Sequence, residues 1–172
     1  MKNHHFLLKS AVASLLFAVV SVSCSKDDAS FCIDEFVVPI NATSGNVTFT
    51  LPNGNTYTGL GALPSTVRIG DYEGQLQSVL TNQVPVGPGS ENELVHFFDD
   101  GKGNTFWTND KALFLPSDST GARFKLVNVF DVIDGTGDFE CAKGQFVNRA
   151  DVDFITGALV GTMSGNLCGG CD

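Results

Sequence analysis

From position 36 onward, polar and apolar residues alternate in short runs, and glycine, proline and Asx-rich punctuation separates one run from the next. Val47 to Leu51 reads VTFTL, Arg123 to Ile133 reads RFKLVNVFDVI, and Gln145 to Ile155 reads QFVNRADVDFI. A period of two places alternate side chains on opposite faces of an extended strand, so each run predicts a strand with one buried face. Further strands are predicted at Phe36 to Ile40, Val67 to Ile69, Gln75 to Leu80, Glu93 to Phe98, Thr105 to Thr108, Ala112 to Leu115 and Ala158 to Leu167. Between them, Pro52 to Asn55 contains Asn-Gly, a strong hairpin signal, and DDGKGN at Asp99 to Asn104 predicts another turn. The segment QVPVGPGS, Gln83 to Ser90, is expected to be a loop, because its prolines and glycines oppose a regular element. No run carries a helical period long enough for a crossover, so the prediction is an all-β fold: an antiparallel β-barrel of eight strands or nearly so.

The stretch DGTGDFECAKG, Asp134 to Gly144, interrupts the two longest alternating runs. Gly135, Gly137 and Gly144 can adopt backbone angles closed to other residues, which permits an abrupt corner. Phe139 and Ala142 are three apart and share a face of a single helical turn. Thr136 or Asp138 is positioned to cap that turn and Gly144 to end it. The expectation is a short helical turn that drives Phe139 into one end of the barrel.

The N-terminus has a different character. Lys2 and Lys9 precede an uncharged run from Ala11 to Ser23, which meets Cys24. The run is too short to span a bilayer and reads as an export signal. The stretch resembles the signal of bacterial lipoproteins, in which the cysteine is diacylated and becomes the mature N-terminus. Ser25, Lys26, Asp27 and Asp28 resemble the acidic tract that carries some of these lipoproteins to the outer leaflet of the outer membrane. That resemblance implies a signal over 1–23, a lipid-anchored acidic tether over 24–35 and a domain over 36–172, held to the cell outer membrane and facing the exterior. Two acyl chains, at about 0.8 kcal/mol per buried methylene, hold such a protein without a spanning helix.

Removing the signal leaves 149 of 172 residues, enough for one domain with a real core. It also removes two of the ten basic residues and none of the nineteen acids, so the charge moves from −9 to −11. A polyanion would be repelled, and no basic patch offsets this, so nucleic acid is not an expected partner.

Beyond Cys24 there are four cysteines, Cys32, Cys141, Cys168 and Cys171. An even number in an exported chain reads as two disulfides with three possible connectivities. Zinc is the competing reading, although there is one CxxC spacing where such sites use two. Strand direction favours Cys141 with Cys168, because the corner and the end of the last strand lie at one end of the barrel. Cys32 would then join Cys171, and an exchange of Cys168 and Cys171 is the nearest alternative.

The order GTGDFECAKG, a polar strand, Asp153 and the glycine-punctuated TGALVGTMSGNL is similar to the C-terminal part of the allene oxide cyclase and dirigent-like, calycin-type barrels. The matching positions are Gly135, Thr136, Gly137, Phe139, Ala142 and Gly144, followed by Gly157, Gly161 and Gly165. The resemblance implies an eight-stranded barrel with a hydrophobic cavity. It carries over no catalytic residue, since every matching position is corner or packing.

Candidate chemistry is sparse. His96, the one histidine of the mature chain, reads as a partly exposed strand residue without a visible nucleophile to serve. Asp99, Asp100, Asn104 and Asp110 are oxygen donors without the spacing of a calcium loop, and a charged hairpin turn is the expected account. Asp131, Asp151 and Asp153 are expected to face water. No cofactor or metal motif is present, and the oligomeric state is left open. Two functions from different classes follow: a non-catalytic surface barrel that binds a small apolar ligand, a glycan or an envelope partner, or a cyclase- or isomerase-like enzyme working inside the cavity.

Overall fold

The computed structural model of the protein describes residues 31–171. It contains nine strands: β1 (Phe31–Thr50), β2 (Thr56–Ala62), β3 (Ser65–Ile69), β4 (Tyr72–Val86), β5 (Gly89–Asp99), β6 (Thr105–Pro116), β7 (Arg123–Thr136), β8 (Lys143–Asp153) and β9 (Ala158–Gly169). All pair antiparallel in one sheet, in the order β2-β1-β9-β8-β7-β6-β5-β4-β3. Backbone pairing does not join β2 to β3, so the sheet keeps two edges. The fold is all-β and antiparallel as expected, with one strand more than eight. The predicted signal and Cys24 to Asp28 lie outside the described residues.

One face of the sheet folds onto itself and buries two clusters. The larger contains Phe36, Val38 and Ile40 of β1, Val67 and Ile69 of β3, Phe98, Phe106, Phe130, Phe146, Met163 and Leu167. The smaller contains Leu94, Ala112, Leu126, Ala150 and Val152, nearer the opposite end. Each inward residue is two from the next along its strand, so the period-two pattern specifies which side chains enter. Burying each such phenylalanine or leucine contributes about 1.5–3 kcal/mol against the entropy of ordering the strands.

A third cluster lies on the other face. Val79, Val95, Phe97 and Trp107 are covered by Val47 and Phe49 from the second half of β1 and by Leu51 just beyond it. The segment Asn41 to Asn46 is therefore a bend inside one long strand, where β1 exchanges β9, its partner through Thr43, for β2, its partner from Ser44. Inward residues have even numbers through Ala42 and odd numbers from Val47, so the bend also reverses which parity is buried. β2 then lies against β4, and a Cβ on Gly61 would stand 2.6 Å from the carbonyl carbon of Ser78. Only glycine allows that approach; the Ala62 N–H donates to Ser78 Oγ at 3.1 Å beside it.

The segment Gln83 to Ser90 differs from expectation. It belongs to β4 and β5, which pair as far as Val86 opposite Gly89. Proline is tolerated there because β3 pairs only with Tyr72 to Leu76, leaving the other edge of β4 free at Pro85. Likewise β6 runs without a break through Asn109, Asp110 and Lys111.

The corner forms as expected in its main feature. Gly137–Phe139 is a single 3-10 turn, with Phe139 fully buried and Ala142 almost so. Phe139 meets the rings of Phe31, Tyr72, Phe98 and Phe106 at centroid distances of 5.4, 4.6, 5.8 and 5.2 Å and closes that end. Two details are corrected. Thr136 makes no side-chain cap, and Cys141 takes the left-handed backbone angle (φ 57°) after the turn, whereas Gly144 lies within β8.

The cysteines form two pairs, Cys32 with Cys168 and Cys141 with Cys171, Cα atoms 4.1 and 5.2 Å apart. This corrects the favoured pairing of Cys141 with Cys168 and Cys32 with Cys171. The strand directions behind that pairing hold, since the corner and the end of β9 share one end of the sheet. What decides the exchange is β1, which starts at Phe31 and sets Cys32 directly opposite Cys168. Residues 31–35, expected in the tether, thus belong to a strand. The Gly170 N–H donates to the Glu140 carbonyl at 2.8 Å and brings Cys171 to the corner.

Candidate functional site: a cavity with a polar stripe

A cavity of about 160 Å³ lies inside the folded sheet, on the far side of the larger cluster from Phe139. Its walls are mostly apolar, including Ile40, Leu76, Leu94, Leu126, Val152 and Leu159. Toward the end that carries the β4–β5, β6–β7 and β8–β9 turns it meets Phe114, Phe124 and the half-exposed Phe154, whose rings contact one another at 5.4–6.3 Å. An apolar cavity of about 150 Å³ accepts a benzene-sized guest, so this one has room for a single six-membered ring.

Polar residues form an oblique stripe on this face of the sheet, of which Ser78, His96, Asn128 and Asn148 line the cavity. Ser78 on β4 stands opposite His96 on β5. Asp110 on β6 follows, opposite Leu94 and Phe130, and then Asn128 on β7 stands opposite Asn148 on β8. Each is inward for the same reason as its apolar neighbours: Leu126, Asn128 and Phe130 alternate on β7, and Phe146, Asn148 and Ala150 on β8.

His96 is 7% exposed, which corrects the reading of a partly exposed strand residue. Its sheet face points into the cavity, and the opposite face is covered at Val95 and Phe97 by the β1–β2 hairpin. Nδ1 of His96 donates to Oδ2 of Asp110, whose side chain is wholly buried. The Phe130 ring lies 4.2 Å from the imidazole, centroid to centroid. With Nδ1–H committed to the carboxylate, a neutral imidazole keeps Nε2 as an acceptor. A carboxylate in such surroundings requires a partner for each oxygen, and Asp110 Oδ1 has none among the protein's own groups. Asn128 and Asn148, 1% and 4% exposed, are in the same state at Oδ1. Nearer the open end, Asn92 donates to the Ser90 carbonyl and to Ser90 Oγ at 3.1 and 3.0 Å, and Gln83 donates to that hydroxyl at 3.2 Å.

The other candidate residues are placed elsewhere. Asp99, Asp100 and Asn104 form the β5–β6 turn: Asp100 accepts from the backbone of Lys102 and Asn104 and from the Asn104 amide, while Asp99 accepts from Gly101. Burial raises the Asp100 pKa, but these hydrogen bonds outweigh it and leave the carboxyl below the usual range. Asp110 does not join them; its side chain is wholly buried on β6 as the partner of His96. Asp131 accepts from Gln145, Asp151 pairs with Lys125 at 2.5 Å, and Asp153 pairs with Arg123 at 3.2 Å, all on the outer face. Among the described residues no group of three or more His, Cys, Asp or Glu side chains is placed to hold a metal ion.

Sequence reasoning passed over Asp110 as the buried partner of His96 and did not single out Asn128 or Asn148. The available signal was an asparagine on the apolar parity of two adjacent strands, LVNVF and FVNRA. Compared with known proteins, the chain matches no family model, no curated protein and no solved structure.

Proposed function

We propose that the protein is a surface lipoprotein whose folded sheet acts as a barrel-like container for a small, largely apolar molecule. The observation that carries this reading is the ring-sized cavity, apolar over most of its wall, with a few buried polar groups in one stripe. Small-molecule sites commonly combine these features. Anchoring at Cys24 and export through Ser25 to Asp28 rest on the signal and acidic tract, and two cysteine pairs fit an oxidising compartment outside the cytoplasm. The first described residue, Phe31, lies at the end closed by Phe139. A lipid at Cys24 would therefore hold the closed end toward the membrane and turn the cavity mouth away from it.

The test is thermal unfolding with and without toluene. A ligand that binds only the folded state raises the unfolding temperature as RT ln(1 + [L]/Kd). The wild type is expected to gain stability, and Leu159→Trp, which places an indole in the cavity, is expected to gain none. No gain in the wild type, or an equal gain in both, overturns the reading.

The buried His96–Asp110 pair favours a second reading, an isomerase-like enzyme. His96, oriented by Asp110, would take a proton from the carbon next to a ligand carbonyl and return it at another carbon, with no net change in oxidation. A β,γ-unsaturated cyclohexenone would become its conjugated isomer, which absorbs at longer wavelength. Equal rates for wild type and His96→Gln dismiss this reading.

A further inference from the structure

Two asparagines line the cavity, Asn128 on β7 and Asn148 on β8, and the Oδ1 of each is without a donor among the protein's own groups. They are directly opposed residues of neighbouring strands, and Cβ atoms in such pairs stand about 4.5–5.5 Å apart. A buried acceptor left unpaired is costly, so this wall discriminates between guests by what they donate. An aliphatic guest leaves both oxygens unpaired. An ether or ester guest can accept from an amide N–H but supplies no hydrogen to these oxygens. A hydroxyl supplies the missing hydrogen and leaves its oxygen free to accept from an asparagine amide N–H.

We infer that the cavity selects ring-sized apolar molecules bearing a hydroxyl, the chemistry of phenols and cyclic alcohols, and that Asn128 and Asn148 are the residues that read the hydroxyl. Resting on the cavity-binding reading above, this names the ligand class for the same site. The apolar body packs against Leu94, Leu126, Val152 and Leu159, and the hydroxyl meets the stripe at the centre of the sheet. His96 Nε2 adds a further acceptor when the imidazole is neutral. The stripe is well placed for specificity because a site built to hydrogen-bond a hydroxyl rejects the analogue lacking it more strongly than an apolar pocket distinguishes shapes.

The experiment is a calorimetric titration of the wild-type protein with p-cresol, p-methylanisole and toluene, three guests that share one ring and differ in the polar group. The expected result is that p-cresol binds about tenfold more tightly than p-methylanisole, the equivalent of one good hydrogen bond to a buried group. In Asn128→Leu/Asn148→Leu the preference for p-cresol is expected to vanish while toluene binds at least as well as before. Equal binding of all three guests to the wild type overturns the inference and leaves the cavity reading standing. No binding of any guest overturns the cavity reading itself. Should the double variant fail to fold, the comparison among the three guests in the wild type decides alone.

Discussion

Cys32 on β1 and Cys168 on β9 stand opposite each other in register, Cα atoms 4.1 Å apart, although 136 residues separate them in the chain. This pair joins the first described strand to the last. Cys141 and Cys171, separated by 30 residues, fasten the corner to the C-terminal tail just beyond. Loop length then ranks the two bonds: the chain-entropy model assigns about 5 kcal/mol to the longer loop and about 4 to the shorter. Non-reducing peptide mapping is expected to recover a Cys32–Cys168 peptide pair and a Cys141–Cys171 pair. In urea unfolding, Cys32→Ser/Cys168→Ser should lose more stability than Cys141→Ser/Cys171→Ser. The reverse order would show that the shorter link, at the corner, holds the fold.

Phe139 is fully buried among four aromatic rings, at the end of the sheet opposite the cavity mouth. Truncating such a residue removes its transfer free energy and leaves a void that the neighbouring strands cannot fill. Phe139→Ala is expected to cost about 3–5 kcal/mol in equilibrium unfolding, and Phe139→Leu less. A loss below about 1 kcal/mol would mean that this end of the sheet closes without the plug.

Tyr72 links the same end to pH. Burial first, and then the hydrogen bond its hydroxyl donates to Asp138 Oδ2 at 3.1 Å, raise its phenol above the ordinary value of 10.0. A raised pKa in the folded state means that the contribution is fully present below the unfolded-state value and is lost as pH rises through the folded one. The urea midpoint of the wild type should therefore fall more steeply above pH 10 than that of Tyr72→Phe, which has no proton to lose there. Parallel curves for the two proteins would refute the linkage.

The proposed lipid anchor at Cys24 is open to a direct measurement. Cells grown with a radioactive fatty acid are expected to label the wild type and not Cys24→Ala, which should be released as a soluble protein. With Lys26, Asp27 and Asp28 all replaced by alanine, the label should persist while protease added to whole cells no longer digests the domain. An unlabelled wild type would remove the anchor, and unchanged digestion of the triple variant would remove the role of the acidic tract.

Local spacing was enough for whatever depends on near neighbours in the chain. The period-two runs specified strands and their buried faces; Asn53-Gly54 specified a hairpin; and Phe139 with Ala142, three apart after Gly137, specified the plugged corner. These features follow from backbone sterics and side-chain direction, which act over a few residues. Partners set by distant parts of the chain were decided only in three dimensions. Cys168 has Lys143 on one side and Cys32 on the other, and its choice between Cys32 and Cys141 depends on how far β1 extends along β9. Asp110 reads as a member of an acidic turn until β6 is seen to continue through it and present it to His96. Pro85 is acceptable in a strand only because the pairing of β4 with β3 ends at Leu76 and leaves an edge free. Asn128 and Asn148, on the apolar parity of their strands, were visible as residues, but their meaning was not. An inward asparagine is a packing defect or a recognition group according to what lies across the sheet from it, and here a cavity does.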